Sequence, residues 1–400
     1  MNEKKTRLPI IQAVALVCLG MMAGMPGLSS PIVQTAIEAY PDVATSTVRM
    51  LVTLPNLVST FVGLAMGVVV GKKMTYKSVT LIGTAFAIVG GLGPVFFYSN
   101  FMVVLFFRFL LGFGAATAKY RGGLVMQTVG VEKSATLIGF GMASSNIMHM
   151  ILQPVAGALA DKQFNLAFLV YLITIPLFLL FAFGLKEPPK PETPKAEDKK
   201  EAAPKQKEKF NPWLIALMAI ALLNISCLYA FNTGVSSYVV DKGVGTAVVA
   251  GTALSMYTFA GMAGNILLKP ISKLLGKYQM AVMDLCIAIG LFVLIRATGT
   301  VGIYAAGLLC GFGYITCSSA LQLACGKIST PGTVALAATL VTCISGIGSF
   351  VSSYYITFAH AIIGAGSETE SAYTMSIFVF IALAVFAFVF ANKLYGRKEA

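Results

Sequence analysis

Arg108-Phe109-Leu110-Leu111-Gly112-Phe113-Gly114-Ala115-Ala116-Thr117-Ala118-Lys119-Tyr120-Arg121 sets three cations into a stretch that otherwise reads as a lipid-buried helix. A charge at mid-bilayer costs roughly 2.5–3.5 kcal/mol on insertion scales, so three in one span need a reason. Arg108 and Lys119 stand eleven residues apart, about three turns and roughly 16 Å, which puts them on one helix face. That face is expected to line a water-filled path and attract a negative group. Arg121 lies about 140° off it at 100° per residue, so it either joins the path or snorkels to the headgroups.

The rest of the chain sets that stretch in a membrane. Of 400 residues, 57% are hydrophobic and only 11% charged, against about a quarter charged in a soluble protein. Apolar runs long enough to cross a bilayer as helices recur at about 8–30, 48–70, 78–98, 101–127, 135–159, 164–185, 212–236, 245–268, 279–299, 301–326, 333–359 and 372–392. The class is an all-α polytopic membrane protein. The first run, with Lys4, Lys5 and Arg7 before it, has the outline of a signal peptide, but the eleven runs behind it make it the first transmembrane helix.

A break at 186–210 holds fourteen charged residues and five prolines, too polar to bury a core. It divides the chain into an N-terminal six-helix bundle (1–185), a flexible cytoplasmic linker (186–210) and a C-terminal six-helix bundle (211–400). With both termini in the cytoplasm, 22 Lys and Arg fall in cytoplasmic segments and four in outer ones, as the positive-inside rule requires. The net charge of +13 is therefore a topology signal and no sign of nucleic-acid binding. A multi-pass protein of the bacterial plasma membrane, acting as a monomer, is expected. All seven cysteines sit in apolar spans without metal-ligand spacing, so they read as small buried residues.

The halves repeat each other. Thr60-Phe61-Val62-Gly63-Leu64-Ala65 matches Thr258-Phe259-Ala260-Gly261-Met262-Ala263, and Leu110-Leu111-Gly112-Phe113-Gly114 matches Leu308-Leu309-Cys310-Gly311-Phe312-Gly313, offset by about 200 residues. Duplicated helical halves with a site between them near the midplane are a transporter plan. The matching tenth span is uncharged through Gly326, so the fourth is expected to run on to about Gln127. That would leave Lys119 at least two turns inside.

On these residues the chain resembles the major facilitator superfamily over nearly its whole length. Arg108 with Gly112 and Gly114 is similar to the family's fourth-helix motif. Gln153-Pro154-Val155-Ala156-Gly157 resembles the fifth-helix motif of its antiporters, with Gln in place of the usual first glycine. Gly67-Val68-Val69-Val70-Gly71-Lys72 resembles its gating loop between helices two and three, with Gly71 where the family has Asp. The resemblance implies two six-helix bundles related by an internal repeat, and secondary transport by alternating access.

Each candidate site residue has a structural alternative. Arg108 is either an inward-facing arginine or one satisfied by backbone carbonyls. His149, one turn before Gln153, either titrates or hydrogen-bonds within the core. Asp284, seven residues after Lys277, is a proton-coupling candidate with His149, or an end-of-span residue paired with that lysine. Asn146, Gln153, Asn232, Tyr257, Tyr314, Ser318 and Gln322, with Asn224 and Tyr229, are candidates to hydrogen-bond a ligand or to join helices. The reading that follows is a carrier of a small organic anion, Arg108 and Lys119 neutralising its charge. The alternative is a proton-coupled multidrug efflux antiporter, although the interior offers few carboxylates. The coupling ion is a proton or a counter-substrate. No cofactor is expected, since no nucleotide-binding loop is present. Two isolated histidines supply no enzyme site, and a duplicated plan gives no symmetric pore ring.

Overall fold

The computed structural model describes residues 8–71, 73–188, 211–329, 334–364 and 366–395. The linker from 189 onward, Lys72 of the expected gating loop and both chain ends lie outside the described residues, as do the side chains of Glu132 and Lys133.

Helices follow one another along the described chain: α1 (Ile10–Ala39), α2 (Thr45–Val69), α3 (Tyr76–Phe96), α4 (Phe101–Val129), α5 (Val131–Ala160) and α6 (Phe164–Gly184), then α7 (Trp213–Asp241), α8 (Ala247–Ile266), α9 (Leu268–Arg296), α10 (Thr300–Ile328), α11 (Val334–Ile363) and α12 (Glu368–Val389). Eleven of them carry a stretch long and apolar enough to cross a membrane. The exception is α5, which at 30 residues is long enough. Ser144, Ser145, Asn146, His149 and Gln153 interrupt its apolar run. The helix α4 runs on to Val129, so Lys119 does sit well within it.

Two apolar clusters form the core. One draws on residues from Ala15 to Leu185 together with Ala247, the other on residues from Leu214 to Leu394. Between them, α5 packs on α8 and α2 packs on α11.

Prolines shape these contacts. A proline inside an α-helix removes the N–H that would bond the carbonyl four residues earlier, and two carbonyls freed in this way find partners on other helices. Pro55 frees Leu51 O, which accepts from Arg108 Nε at 2.7 Å. Pro154 frees Met150 O, which accepts from Ser255 Oγ at 3.0 Å, joining α5 to α8. The middle of α1, Leu19–Ile32, is wound as a tighter 3-10 helix holding Pro26 and Pro31. A run of that length is uncommon, and side chains from four other helices bond its carbonyls.

The end bearing the linker, the tether end, differs from the opposite, far end. At the far end the halves are bound together. Arg49 Nη2 pairs with Glu368 Oε2 at 2.9 Å, and Thr45 Oγ1 donates to the same carboxylate. Asp161 at the end of α5 accepts from Thr246 Oγ1 at 2.6 Å and from Ala247 N at 3.1 Å, capping α8, where a negative charge is favoured. Ser236 Oγ donates to Pro31 O at 2.6 Å, and Thr53 Oγ1 meets Ser353 Oγ at 2.7 Å. These contacts continue to mid-depth at Ser255 and at Thr60, which lies against Gly346. Toward the tether end Lys119, Asn265 and Gln322 are exposed.

Candidate functional site

A cavity of about 180 Å³ lies between the halves at mid-depth. The unwound part of α1 gives it Ala23, Gly24 and Gly27; α2 gives Asn56; α5 gives Asn146, His149 and Gln153. From the other half come Tyr229 and Asn232 on α7, Tyr257 and Thr258 on α8, and Tyr314 and Ile315 on α10. No lysine, arginine, aspartate or glutamate is among these lining residues.

Hydrogen bonds fix several of these groups. His149 Nε2 lies 2.6 Å from Gly24 O. A carbonyl only accepts, so Nε2 is the donor and Nδ1 is left facing no protein partner in that contact, an acceptor when the ring is neutral and a donor when it is charged. Gly24 permits this approach, since a Cβ there would stand 2.7 Å from Nε2. Gln153 gives its Nε2 to Gly27 O and keeps a buried Oε1 with no protein partner. Asn56 Nδ2 donates to Tyr229 Oη at 2.6 Å across the halves, so that hydroxyl still has its own proton to give. The Tyr257 ring stacks between Phe231, 5.6 Å away, and Tyr314, 6.4 Å away. The wall thus offers amide donors and acceptors, phenols, one imidazole and flat aromatic faces.

Arg108 does not line this cavity, which corrects the expectation from its depth and helix face. It has no exposed surface. Its guanidinium turns into the N-terminal half, donating to Leu51 O at 2.7 Å and to Ser29 Oγ at 2.8 Å. Its Cζ lies 5.1 Å from the centroid of the Tyr171 ring and 5.9 Å from that of Phe168. The carbonyl freed by Pro55 and the aromatic faces of α6 hold the charge in place of a ligand. Arg121 also packs inward. It is 7% exposed and donates to Ile138 O at 3.0 Å, so it neither snorkels nor reaches the cavity.

Lys119 is exposed, its stem against Gly63, outside the cavity lining on the tether side of α4. Ser318 and Gln322 of α10 are likewise outside the lining, half-buried and exposed respectively. Asp284 is not paired with Lys277, whose Nζ bonds Asn392 Oδ1 at 2.7 Å. It is buried among α7, α9 and α10, accepting from Asn224 Nδ2 at 2.8 Å. In the expected gating loop a Cβ at Gly67 would meet open space, and Gly71 has φ +80°. Asn56 and Thr258 were not among the expected site residues. Each is a polar residue inside an apolar span, close to or within the repeated Thr-Phe segment, and that was their only sequence mark.

Helices packed as two clusters around a polar mid-depth cavity, with no strands among the described residues, have the layout of a membrane transporter. The chain belongs to the Major Facilitator Superfamily, which it matches over residues 12–353. No curated protein matches the sequence. Among solved structures it is similar to the nucleoside transporter NupG (11% identity, 94% of this chain and 98% of that one, TM-score 0.71). It is similar also to a bacterial homologue of the human lysosomal transporter Spinster, inward-facing and occupied (14%, 96% and 95%, TM-score 0.67). A peptide transporter, POT, in complex with sulfate compares equally well (11%, 96% and 94%, TM-score 0.70). At such identities the likeness is one of fold.

Proposed function

We propose that the chain carries a compact, uncharged polar solute, one bearing hydroxyl or amide groups, by rocking its two halves about the central cavity. The lining of that cavity carries the reading: it holds amides, phenols and an imidazole, with no fixed charge. A solute with both donors and acceptors satisfies the free Gln153 Oε1 and the Tyr229 hydroxyl. An anion would enter that lining without a counter-charge, at the penalty of an unpaired buried ion. The volume, below the roughly 300–1,000 Å³ of drug-sized sites, favours a small solute over the bulky cations of a multidrug exporter. We place the tether end at the cytoplasm, on the strength of its basic residues, and the two bundles at 1–185 and 211–400.

The organic-anion reading has one observation in its favour: Lys119 is exposed on the tether side of the cavity. A thermal-shift panel separates the two. Uncharged polyols and amides should raise the melting temperature of the parent but not of Gln153→Ala, by the equivalent of about 2.7 kcal/mol at a hundredfold excess over Kd. Stabilisation by carboxylates alone, abolished by Lys119→Ala, would overturn the uncharged-solute reading and restore the anion.

A further inference from the structure

A carboxylate lies behind the cavity wall, in the C-terminal half, with no part in the lining. Asp284 on α9 has no exposed surface. Its Oδ1 accepts from Asn224 Nδ2 of α7 at 2.8 Å and from the Cys317 thiol of α10 at 3.4 Å. Its Oδ2 is buried without a partner. Neither ion pair among the described residues involves it.

The groups that face it come from three elements. Asn224 on α7 does not titrate, and Cys317 on α10 is a weak donor. Tyr395, in the segment after α12, has its phenol pushed up first by burial and then by Cys317 and Asp284. The cations on that side are engaged elsewhere: Lys327 stands 5.6 Å over the Tyr395 ring, Lys393 lies over Trp213, and Lys277 bonds Asn392. An ionised carboxylate in this setting would have one amide and one weak thiol to stabilise it, and an empty oxygen in a low-dielectric core. Such a group takes up a proton instead of remaining charged.

We propose that Asp284 is a proton-binding site of this protein, filled while the far end is closed and emptied in a state that wets the carboxyl. The proton sits on the orphan Oδ2. On release it passes to water, leaving a carboxylate and requiring no other reactant. The site is wired to the cavity through its own donors. Asn224 is five residues before Tyr229 on α7, and Cys317 is three after Tyr314 on α10. Any displacement of those cavity helices therefore also moves the two groups that hold Asp284.

Linkage gives the sign. The state that keeps Asp284 buried binds the proton more tightly, so raising the pH favours the other state, by at most about tenfold per pH unit for one proton. The test uses the full chain in lipid and needs no solute, so it stands or falls separately from the solute reading. Infrared spectra at neutral pH should show the deuterium-sensitive carbonyl band of an un-ionised acid, lost in Asp284→Asn and displaced in Asp284→Glu. With Ser236→Cys as a reporter buried at the far end, alkylation located by mass spectrometry should quicken with pH more steeply than at Thr298→Cys, an exposed far-end thiol that reports thiolate formation alone. That excess should vanish on adding Asp284→Asn and return with Asp284→Glu. An un-ionised acid band unchanged by both substitutions, or the same excess with Asn at 284, would overturn the proposal. Should the Asn variant not fold, the displaced band in Asp284→Glu decides the matter alone.

Discussion

The far-end latch permits a quantitative test. Arg49 joins α2 of one half to Glu368 at the start of α12 of the other at 2.9 Å, with side-chain exposures of 2% and 32%. Removing one partner of a fully buried pair costs about 3–5 kcal/mol. Glu368 is part-hydrated, and once the halves separate it gains more water, so about 2 kcal/mol is the appropriate share, or a ~30-fold change in equilibrium. Glu368→Gln keeps the shape and removes the charge. It also loses the favourable interaction of Glu368 with the α12 N-terminus, roughly 0.3–1 kcal/mol, but that loss is common to both states and cancels. Spin labels at Lys162→Cys and Thr298→Cys, exposed far-end positions in opposite halves, would report the separation. The long-distance population should rise ~30-fold relative to the short. A change below about threefold would refute the latch. So would an equal change when Arg49 is already glutamine, because a real pair must show coupling in a double-mutant cycle.

Three further outcomes follow from packing and hydrogen bonding. A Cβ at Gly251 would stand 2.5 Å from Gln153 O, so Gly251→Ala should hold the α5–α8 seam apart and abolish uptake into vesicles while the purified protein stays folded. Arg108→Gln should lower stability by about 3 kcal/mol, through charged hydrogen bonds lost in the core. Lys119→Gln should stay within about 0.5 kcal/mol, so that paired thermal melts distinguish a structural cation from an exposed one. Ser255 Oγ stands 3.0 Å from both Met150 O and Gly251 O. Ser255→Ala leaves the proline-freed carbonyl of α5 unpaired, which should favour the separated halves by about 1–2 kcal/mol, read on the same spin-label pair.

The all-α membrane fold was legible because the spans are written in composition, which a bilayer enforces residue by residue. The polar face of α5 was visible too, in Asn146, His149 and Gln153, and those same residues make it the one long helix not apolar enough to be picked out as a span. Arg108 shows where such reading ends. Depth and helix face can be computed from spacing, but the partner belongs to whichever neighbour packs there, and Leu51 O is 57 residues away. A sequence mark did exist: Pro55, four residues after Leu51, announces a carbonyl in need of a donor. Asp284 misled for the related reason that a lysine seven residues off is near in sequence, whereas Lys277 Nζ bonds Asn392 instead.

The proline-freed carbonyls also have a consequence for how the chain is made. Each is completed by a helix synthesised later: Leu51 O of α2 waits for Arg108 on α4, and Met150 O of α5 for Ser255 on α8. In hydrocarbon an unpaired backbone group costs several kcal/mol. The N-terminal half is therefore not fully satisfied until the second helix of the C-terminal half has been inserted beside it.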